Sequence, residues 1–447
     1  MTSPPLLQTL TPTFRYSTIG EVGGPHARLL SGPPRGAGAE SLDGHLTRWG
    51  VNPLLDRPAE MRTALRSSGL QGRGGGRFPL SMKLETAMLA PGVPVVVVNA
   101  SESEPASAKD DTLCRLRPHL VLDGAAAVAA MVGAGEATIH LHRSARGARE
   151  AIEAAVAERR SLIAGDPWWR VSVGPDRYVS GEASAIASFI DGGEARPRFS
   201  QAPMAVRGPS GRPTVVSNAE TVAHLALLCR WDVAFWRAGG SLSSPGSQLV
   251  TVAGAVAEPG RVFEVVGEVG IGEVLMASGI LSPPAAVLVG GYAGTWVQGA
   301  VAWSTSFEPA ALEQIGAQAG CGLLGVLPHG SCGLAETARV VAYLAGETAG
   351  QCGPCVSGLP TLAATMEALA RGELRRRELR RLRSLCDRLI GSGACRHPDG
   401  VVRLVRSAIE VFEDDVVRHL SGAPCRGASH APILPIPDLD AASAGWR

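Results

Sequence analysis

The chain has 447 residues, 45% of them hydrophobic and 19% charged, with a formal net charge of +1. That length implies two to four domains with cores of their own, and the balanced charge asks for neither nucleic acid nor an anionic membrane surface. The longest apolar stretches, such as Val95–Val98 and Ala125–Val132, fall far short of the roughly 20 residues a spanning helix needs. No basic segment followed by an apolar one opens the chain, so neither membrane insertion nor a signal peptide is expected. Nine cysteines, an odd number spread over a long chain, argue for a reducing compartment rather than a disulfide framework.

Residues 1–55, rich in Pro, Gly and Ser, read as an irregular extension. Pro58 to Leu70 has a helical pattern, and the glycine-rich loop Gly72-Arg73-Gly74-Gly75-Gly76 follows it. Val95–Val98, a β-branched run after Pro91-Gly92, reads as a buried strand. Ala125–Gly133 reads as helix, Thr138–His142 as strand and Ala148–Arg160 as helix. This alternation implies an α/β domain over residues 56–240 with a mostly parallel sheet. Residues 246–303 change character: strands Leu249–Ala253, Val262–Val266 and Val287–Gly291, a short helix Ile271–Ser278 and a further segment Thr295–Val301 suggest a small β-grasp-like module. From Leu334 the pattern is helical, giving a domain over 330–425 and a tail over 426–447. Arg371–Arg383 carries seven arginines on a segment whose leucines keep helical spacing, the pattern of a solvated helix face.

The glycine loop is the first chemical signal. Adjacent glycines let backbone N–H groups approach a phosphate without a Cβ in the way, and successive N–H groups form an anion nest. Arg73 and Lys83 add charge. A flexible surface loop explains a glycine run equally well, since this is neither a dinucleotide fingerprint nor a Walker A loop. The segment Asn99-Ala100-Ser101-Glu102-Ser103-Glu104-Pro105 shifts the balance. It follows the buried strand directly, and ligands of open α/β sheets sit at the carboxyl ends of strands. The alternative role for Glu102 and Glu104 is to oppose the positive end of a helix dipole.

These blocks resemble the NADH-oxidising flavoprotein (51-kDa, F-type) subunit of respiratory complex I. The loop Gly69–Pro79 resembles that family's Gly-Leu-Arg-Gly-Arg-Gly-Gly-Ala-Gly-Phe-Pro, and Asn99–Pro105 its Asn-Ala-Asp-Glu-Ser-Glu-Pro. Tyr178-Val179-Ser180-Gly181-Glu182 and Gly211-Arg212-Pro213-Thr214 through Thr221 match further blocks in order. The resemblance covers about residues 55–425. It implies a Rossmann-like FMN-binding domain, then a β-grasp-like (SLBB) module, then a helical bundle carrying cluster cysteines. It also implies that Gly72, Arg73, Gly74, Gly75, Lys83, Asn99, Glu102, Ser103, Tyr178, Gly181, Glu182 and Asn218 contact FMN, and that Phe78 and Glu104 contact NADH. The departures fall mainly on the NADH side. An acid is replaced by Ser101, a second Glu by Ala183, an Asn by Ser217, a basic residue by Ser200 and a stacking aromatic by about Pro203, while Arg77 stands at a loop glycine.

Cys352 and Cys355 lie two residues apart at the start of a helical region, with Cys395 downstream. Paired thiolates at a turn can hold an iron–sulfur cluster, though an isolated Cys-x-x-Cys is more often incidental. The family motif Glu-Ser-Cys-Gly-x-Cys-x-x-Cys fits Glu347, Gly350, Cys352 and Cys355, with Cys395 as the distant ligand, and places Ala349 where the first cysteine belongs. Cys352, Cys355 and Cys395 are therefore the expected ligands of a 4Fe-4S cluster, with water, Cys332 or His397 as candidates for the fourth position. The other cysteines, Cys425 among them, show no ligand spacing and read as ordinary packing residues.

The implied activity is electron transfer from NADH through FMN to the cluster and on to an iron–sulfur or ferredoxin-like partner. The location would be cytoplasmic, peripheral to the membrane through partner subunits. Two rival readings follow from the departures: a flavin or cluster relay that does not use NADH, and a structural paralogue poor in cofactors.

Overall fold

The computed structural model describes residues 18–20, 28–33, 36–160, 162–199, 202–423, 425–429, 431–437 and 445–447. Ser200 lies outside them. The elements in chain order are β1 (Thr18–Gly20), α1 (Leu42–Trp49), α2 (Pro58–Ser68), α3 (Leu80–Leu89), β2 (Val95–Asn99), α4 (Lys109–Leu116), α5 (Pro118–Val132), β3 (Glu136–His142), α6 (Arg146–Arg159), β4 (Trp168–Gly174), α7 (Ala183–Ile190), β5 (Thr214–Asn218), α8 (Ala219–Leu228) and α9 (Val233–Arg237). They continue with β6 (Gln248–Gly254), β7 (Arg261–Val266), α10 (Ile271–Ala277), β8 (Ala286–Val289), β9 (Thr295–Gln298), α11 (Gly299–Trp303), α12 (Pro309–Gln314) and β10 (Leu323–Leu327). Five helices follow: α13 (Gly333–Gly346), α14 (Leu359–Ala370), α15 (Arg376–Leu389), α16 (His397–Val411) and α17 (Glu413–Leu420).

The first sheet is parallel throughout, in the order β4-β3-β2-β5. Its central strand shows why Val95–Val98 is apolar without alternation. Val96 and Val98 belong to the core shared with α5 and α8, whereas Val95 and Val97 pack with Ile186 of α7 on the other face. A parallel sheet covered on both faces needs apolar side chains at every position. The first three strands run outward one way from β2 to β4, and β5 then returns to the opposite side of β2. That reversal is a topological switch point, where the carboxyl ends of two neighbouring strands leave a crevice. Asn99 and Asn218 end these strands and are paired in register.

Beneath the sheet α5 crosses α8 with no room to spare. A Cβ on Gly124 would stand 1.8 Å from the Val222 carbonyl oxygen, so only glycine permits this backbone approach. The N-terminal segment is more ordered than its composition suggests. Leu42–Trp49 is a helix capped by Ser41, and Leu29 and Leu30 are fully buried. Their amides donate to the buried carboxylate of Glu264 in β7, at 2.8 Å for Leu29 and 3.1 Å for Leu30.

The second sheet is mixed, in the order β1-β7-β6-β10-β8-β9. Its centre is completed by Leu323–Leu327, which runs parallel to β6 and antiparallel to β8 and lies past the residue-303 boundary expected from the sequence. The helices α13–α17 share one core that reaches Tyr292 and Trp296 of this sheet. In α15 only Leu382, Cys386 and Leu389 are buried, and the arginines are solvated as their spacing suggests.

Replacing Gly124 with Val should destabilise the protein by about 3 kcal/mol or more, because the added atoms meet backbone rather than a movable side chain. Thermal and denaturant unfolding measure it, and an unchanged midpoint would contradict the packing described.

Candidate functional site

The carboxyl edge of the parallel sheet gathers most of the residues singled out above. The glycine loop leaves α2 through Gly69 at φ 70° and closes on itself, with the Gly72 N–H donating to the Phe78 carbonyl at 3.0 Å. A Cβ on Gly74 would lie 3.3 Å from that of Asn218, so the loop rests directly against the end of β5. Gly75 has φ 97°, and Phe78 is 47% exposed beside the loop.

Arg73 does not face the crevice. Its guanidinium is buried and donates to Ser244 Oγ at 3.1 Å and to the Pro245 carbonyl at 2.6 Å, while its amide donates to Thr221 Oγ1 at 2.9 Å. The expected side-chain contact with FMN is thus corrected to a bracing role, and burial pushes this guanidinium down to about 10. Lys83 donates from Nζ to the Val216 carbonyl, 3.0 Å away, near the end of β5.

Asn99 spans the crevice, its Nδ2 donating to the Gly181 carbonyl at 2.8 Å and its Oδ1 accepting the Ser101 amide at 3.1 Å. A Cβ on Gly181 would fall 2.2 Å from Ser103 Oγ, so any other residue there would turn that hydroxyl aside. Asn218 caps α8 through the Glu220 amide and donates from Nδ2 to Asp110 Oδ2 at 2.7 Å. Glu182 caps α7 by accepting the Ser184 and Ala185 amides.

The two acidic residues divide between the alternatives. Glu102 Oε2 accepts the amides of Asp110 at 2.6 Å and Asp111 at 3.3 Å, the helix-terminus role. Burial and the neighbouring Asp110 carboxylate raise it to about 7. Glu104 is buried: Oε2 accepts the Tyr178 hydroxyl at 3.2 Å and the Tyr292 amide at 2.9 Å, while Oε1 has no partner. Burial pushes this carboxyl up to about 8. Tyr178 is held from the other side, its amide donating to Glu347 Oε2 at 2.7 Å.

A cleft of about 540 Å³ opens beyond the end of β2, lined by Glu102, Ser103, Glu104, His142, Arg177 and Tyr178 among others, and neither the glycine loop nor Asn218 lines it. Ser101 Oγ and Ser217 Oγ, like Glu104 Oε1, are buried without a hydrogen-bond partner. Buried polar atoms are seldom left unsatisfied, and these three belong to the segments that end β2 and β5. A larger cleft of about 640 Å³ lies between β9 and α16, lined by Gln298, Arg403 and Glu410 among others, away from the glycine loop.

Sequence reasoning gave no role to Lys109, Asp110 or Glu220. The buried Lys109 ammonium lies 2.9 Å from both Asp110 Oδ1 and Glu220 Oε2, and Asp110 in turn holds Asn218. Nothing in the local pattern marks the cluster, because α8 supplies Glu220 against the Lys109–Asp110 pair of α4.

The cysteines divide into two groups. Cys352 and Cys355 enter a turn in which the Cys355 amide donates to the Cys352 carbonyl at 3.0 Å. Burial, then the Cys352 sulfur and the nearby Cys395, raise Cys355, whereas hydrogen bonds to the Cys352 sulfur from Ala394 and Cys355 outweigh its burial and lower it. Ala349 is buried where the family motif has cysteine, and its carbonyl accepts from Arg196 Nη1 at 2.5 Å. Cys332 is not available as a fourth ligand, since it lies against His419. His397 donates from Nε2 to the Leu344 carbonyl at 2.8 Å and keeps an unpartnered Nδ1.

Comparison with known proteins agrees with this geometry. Residues 65–227 match the Nuo51 FMN-binding domain, and residues 335–419 match the NADH-ubiquinone oxidoreductase-F iron–sulfur binding region, together more than half the chain. The second of two F-type NADH-quinone oxidoreductase subunits in Rhizobium meliloti (strain 1021) is 27% identical over 427 residues, covering 92% of this chain and 99% of the relative. The F-type NADH-quinone oxidoreductase subunit in Streptomyces coelicolor is 28% identical over 390 residues, covering 83% and 85%. Among solved structures, an NAD+-reducing NiFe hydrogenase in its H2-reduced state superposes with a TM-score of 0.77 at 28% identity, covering 87% of this chain and 66% of that one. With its glycine loop against Asn218 at the switch point and its cysteine pair between the first two helices of the C-terminal bundle, the chain belongs to the F-type flavoprotein family of NADH-quinone oxidoreductases.

Proposed function

We propose that the chain is an NADH dehydrogenase-type oxidoreductase that passes electrons from NADH through FMN to an iron–sulfur cluster and on to a partner. The observation that carries this reading is the switch-point crevice, where the Gly72–Gly75 backbone, Asn99 and Asn218 converge beside buried, unpartnered Ser101 and Ser217 oxygens. A phosphate fits the glycine loop, because Gly74 leaves no Cβ between the backbone and an approaching anion. Lys83, Asn99, Glu102, Ser103, Tyr178, Gly181 and Glu182 would contact the rest of FMN. When bound, FMN supplies the conversion between two-electron and one-electron transfer. Phe78 and Glu104 would flank the NADH side, and burial, which raises the Glu104 carboxyl to about 8, favours its neutral, hydrogen-bond-donating form there.

Three units divide this labour: an FMN and NADH domain over 56–240, a β-grasp-like (SLBB) module from 246, and a helical domain over 330–425 whose Cys352, Cys355 and Cys395 would hold a 4Fe-4S cluster. Three thiolates suit a cluster with one distinct corner. The acceptor is an iron–sulfur or ferredoxin-like protein. Among the described residues no helix is long and apolar enough to cross a membrane, in keeping with a cytoplasmic protein attached through partner subunits.

Protein purified without oxygen should show flavin absorbance that NADH bleaches slowly. Ala183 and Pro203 supply neither the carboxylate nor the ring expected at their positions, each loss costing on the order of 1 kcal/mol. Stopped-flow reduction at rates typical of dehydrogenases would contradict the slow step. Flavin that NADH never bleaches would favour the relay reading, and the absence of any chromophore the structural paralogue.

Gly74→Val should abolish flavin retention with the fold intact, since the added side chain meets Asn218. Full flavin occupancy in that variant would move the site elsewhere.

Glu104 also makes stability depend on pH. A carboxyl raised from its ordinary 4.5 to about 8 binds more protons folded than unfolded between those values. Its contribution is therefore complete below pH 4.5 and lost as pH rises towards 8, at most about 1.4 kcal/mol per pH unit crossed. Glu104→Gln should flatten that decline in flavin-free protein, as read by denaturant unfolding across pH 5–8, and an unaltered slope would assign the dependence to another group.

A further inference from the structure

A second group of cysteines lies apart from the cluster turn and the flavin crevice. Cys332 caps the N-terminus of α13, His419 is in the last turn of α17, and Cys425 begins the turn that follows. The three ligand atoms, two sulfurs and one imidazole nitrogen, lie within 4.8 Å of one another. Cys332 and His419 are 2% and 0% exposed, and Cys425 is half-buried.

The imidazole is oriented for ligation. His419 Nδ1 sits 3.0 Å from the Leu369 carbonyl oxygen. A carbonyl only accepts, so Nδ1 carries the proton and Nε2 presents its lone pair. Nε2 lies 3.7 Å from Cys332 Sγ and accepts the Cys425 amide at 3.0 Å. Fixing a histidine through one ring nitrogen on a backbone carbonyl, so that the other is bare, is the usual outer-shell arrangement around a metal-bound imidazole. Coordination would replace the single hydrogen bond from the Cys425 amide. The surrounding backbone is already close: a Cβ on Gly427 would lie 2.3 Å from the Gly330 carbonyl oxygen and 2.6 Å from the Cys332 nitrogen.

We propose that Cys332, His419 and Cys425 bind one thiophilic divalent cation, zinc in the first place, with water at the fourth tetrahedral position. Two sulfurs and one imidazole are a zinc donor set, soft enough to exclude magnesium and calcium. Binding releases the two thiol protons to solvent and involves no change of oxidation state. The ion would pin the start of the C-terminal segment to α13 and α17. That segment is then continued inward by the Leu434 amide, which donates to Glu336 Oε1 at 2.7 Å. The site is separate from Cys352, Cys355 and Cys395, so its zinc and the cluster's iron are counted independently.

The test is elemental analysis of the full chain purified without oxygen under reducing conditions, with zinc, iron and sulfide measured on the same sample. The expected result is about one zinc per chain, lost at least fivefold in Cys425→Ala and His419→Gln and retained in Cys355→Ser. Cys425→Ala removes only a half-buried side chain, and circular dichroism checks its fold. If His419→Gln does not fold, cobalt titration of the unaltered protein and Cys425→Ala decides, through a thiolate-to-cobalt absorption band present in the first and absent in the second. Wild-type protein that takes up neither zinc nor cobalt overturns the proposal. So does zinc unchanged in Cys425→Ala, or a Cys332–Cys425 disulfide found by mass spectrometry.

Discussion

The Lys109 ammonium is buried between Asp110 and Glu220, at 2.9 Å from each carboxylate, and these contacts join parts of the chain that lie far apart in sequence. Asp110 reaches Asn218 at the end of β5. Glu220, in the first turn of α8, accepts the Leu249 amide at 2.8 Å and so ties the parallel sheet's helix layer to β6 of the second sheet. Thr221, the next residue, receives the Arg73 amide and sets the height of the glycine loop. One cation thus fixes the crevice floor, the loop above it and the neighbouring sheet. Its removal would strand two carboxylates without a counter-charge, a situation that costs about 3–5 kcal/mol.

The same network explains the electrostatics of the cleft. One ammonium against two carboxylates leaves a negative balance, and Glu102, close to Asp110, is raised towards neutrality by burial and by that charge. Glu104 is raised further, with burial the largest cause and Glu102 a smaller one. Both glutamates of the cleft are thus shifted towards their neutral forms, Glu104 more than Glu102. An anionic ligand meets hydrogen-bonding groups there instead of two full negative charges. Lys109 acts the other way on Glu102 and lowers it, but less than burial and Asp110 raise it.

What the sequence made legible were features whose cause is local. Four consecutive β-branched residues specify a strand buried on both faces, and Val95–Val98 is one. Leucines at helical spacing among arginines specify one buried stripe, and α15 has it. The glycine loop and the Cys352–Cys355 pair were visible because backbone freedom and ligand spacing are properties of neighbouring residues. What was not legible depended on distant partners. Thr214–Asn218 is a short segment and is a strand because β2 lies beside it. Leu323–Leu327 is recruited by β6 and β8 from outside its expected module. α1 lies in a Pro- and Gly-rich stretch, and Leu29 and Leu30 before it are ordered by the Glu264 carboxylate from the far side of the whole flavin domain. Arg73 looked like an anion ligand by composition and braces Ser244 and Pro245 instead, because side-chain direction is decided by what the fold places behind it. Cys425 showed no ligand spacing, since its partners Cys332 and His419 come from other elements.

The departures from the family pattern fall where the backbone keeps its shape regardless of the side chain. Arg77 occupies φ 48°, a region where a non-glycine residue costs about 1–3 kcal/mol, at a position where the family has glycine. The loop imposes that conformation: the Gly72–Phe78 hydrogen bond and the Gln71–Pro79 bridge close it on both sides. The arginine is accommodated, half-buried with Nη2 unpartnered, and the loop's path is kept. At the cluster turn the substitution works the other way. Ala349 removes a thiolate, and the space is not left open. Arg196 donates to the Ala349 carbonyl and lies 4.7 Å from the ring of Trp446, which also packs on Arg177 at 4.6 Å. A cation and an indole thus lie beside the Ala349 backbone. Backbone geometry is held against strain in the first case, and in the second the position of the lost ligand is flanked by packing that the rest of the family motif does not encode.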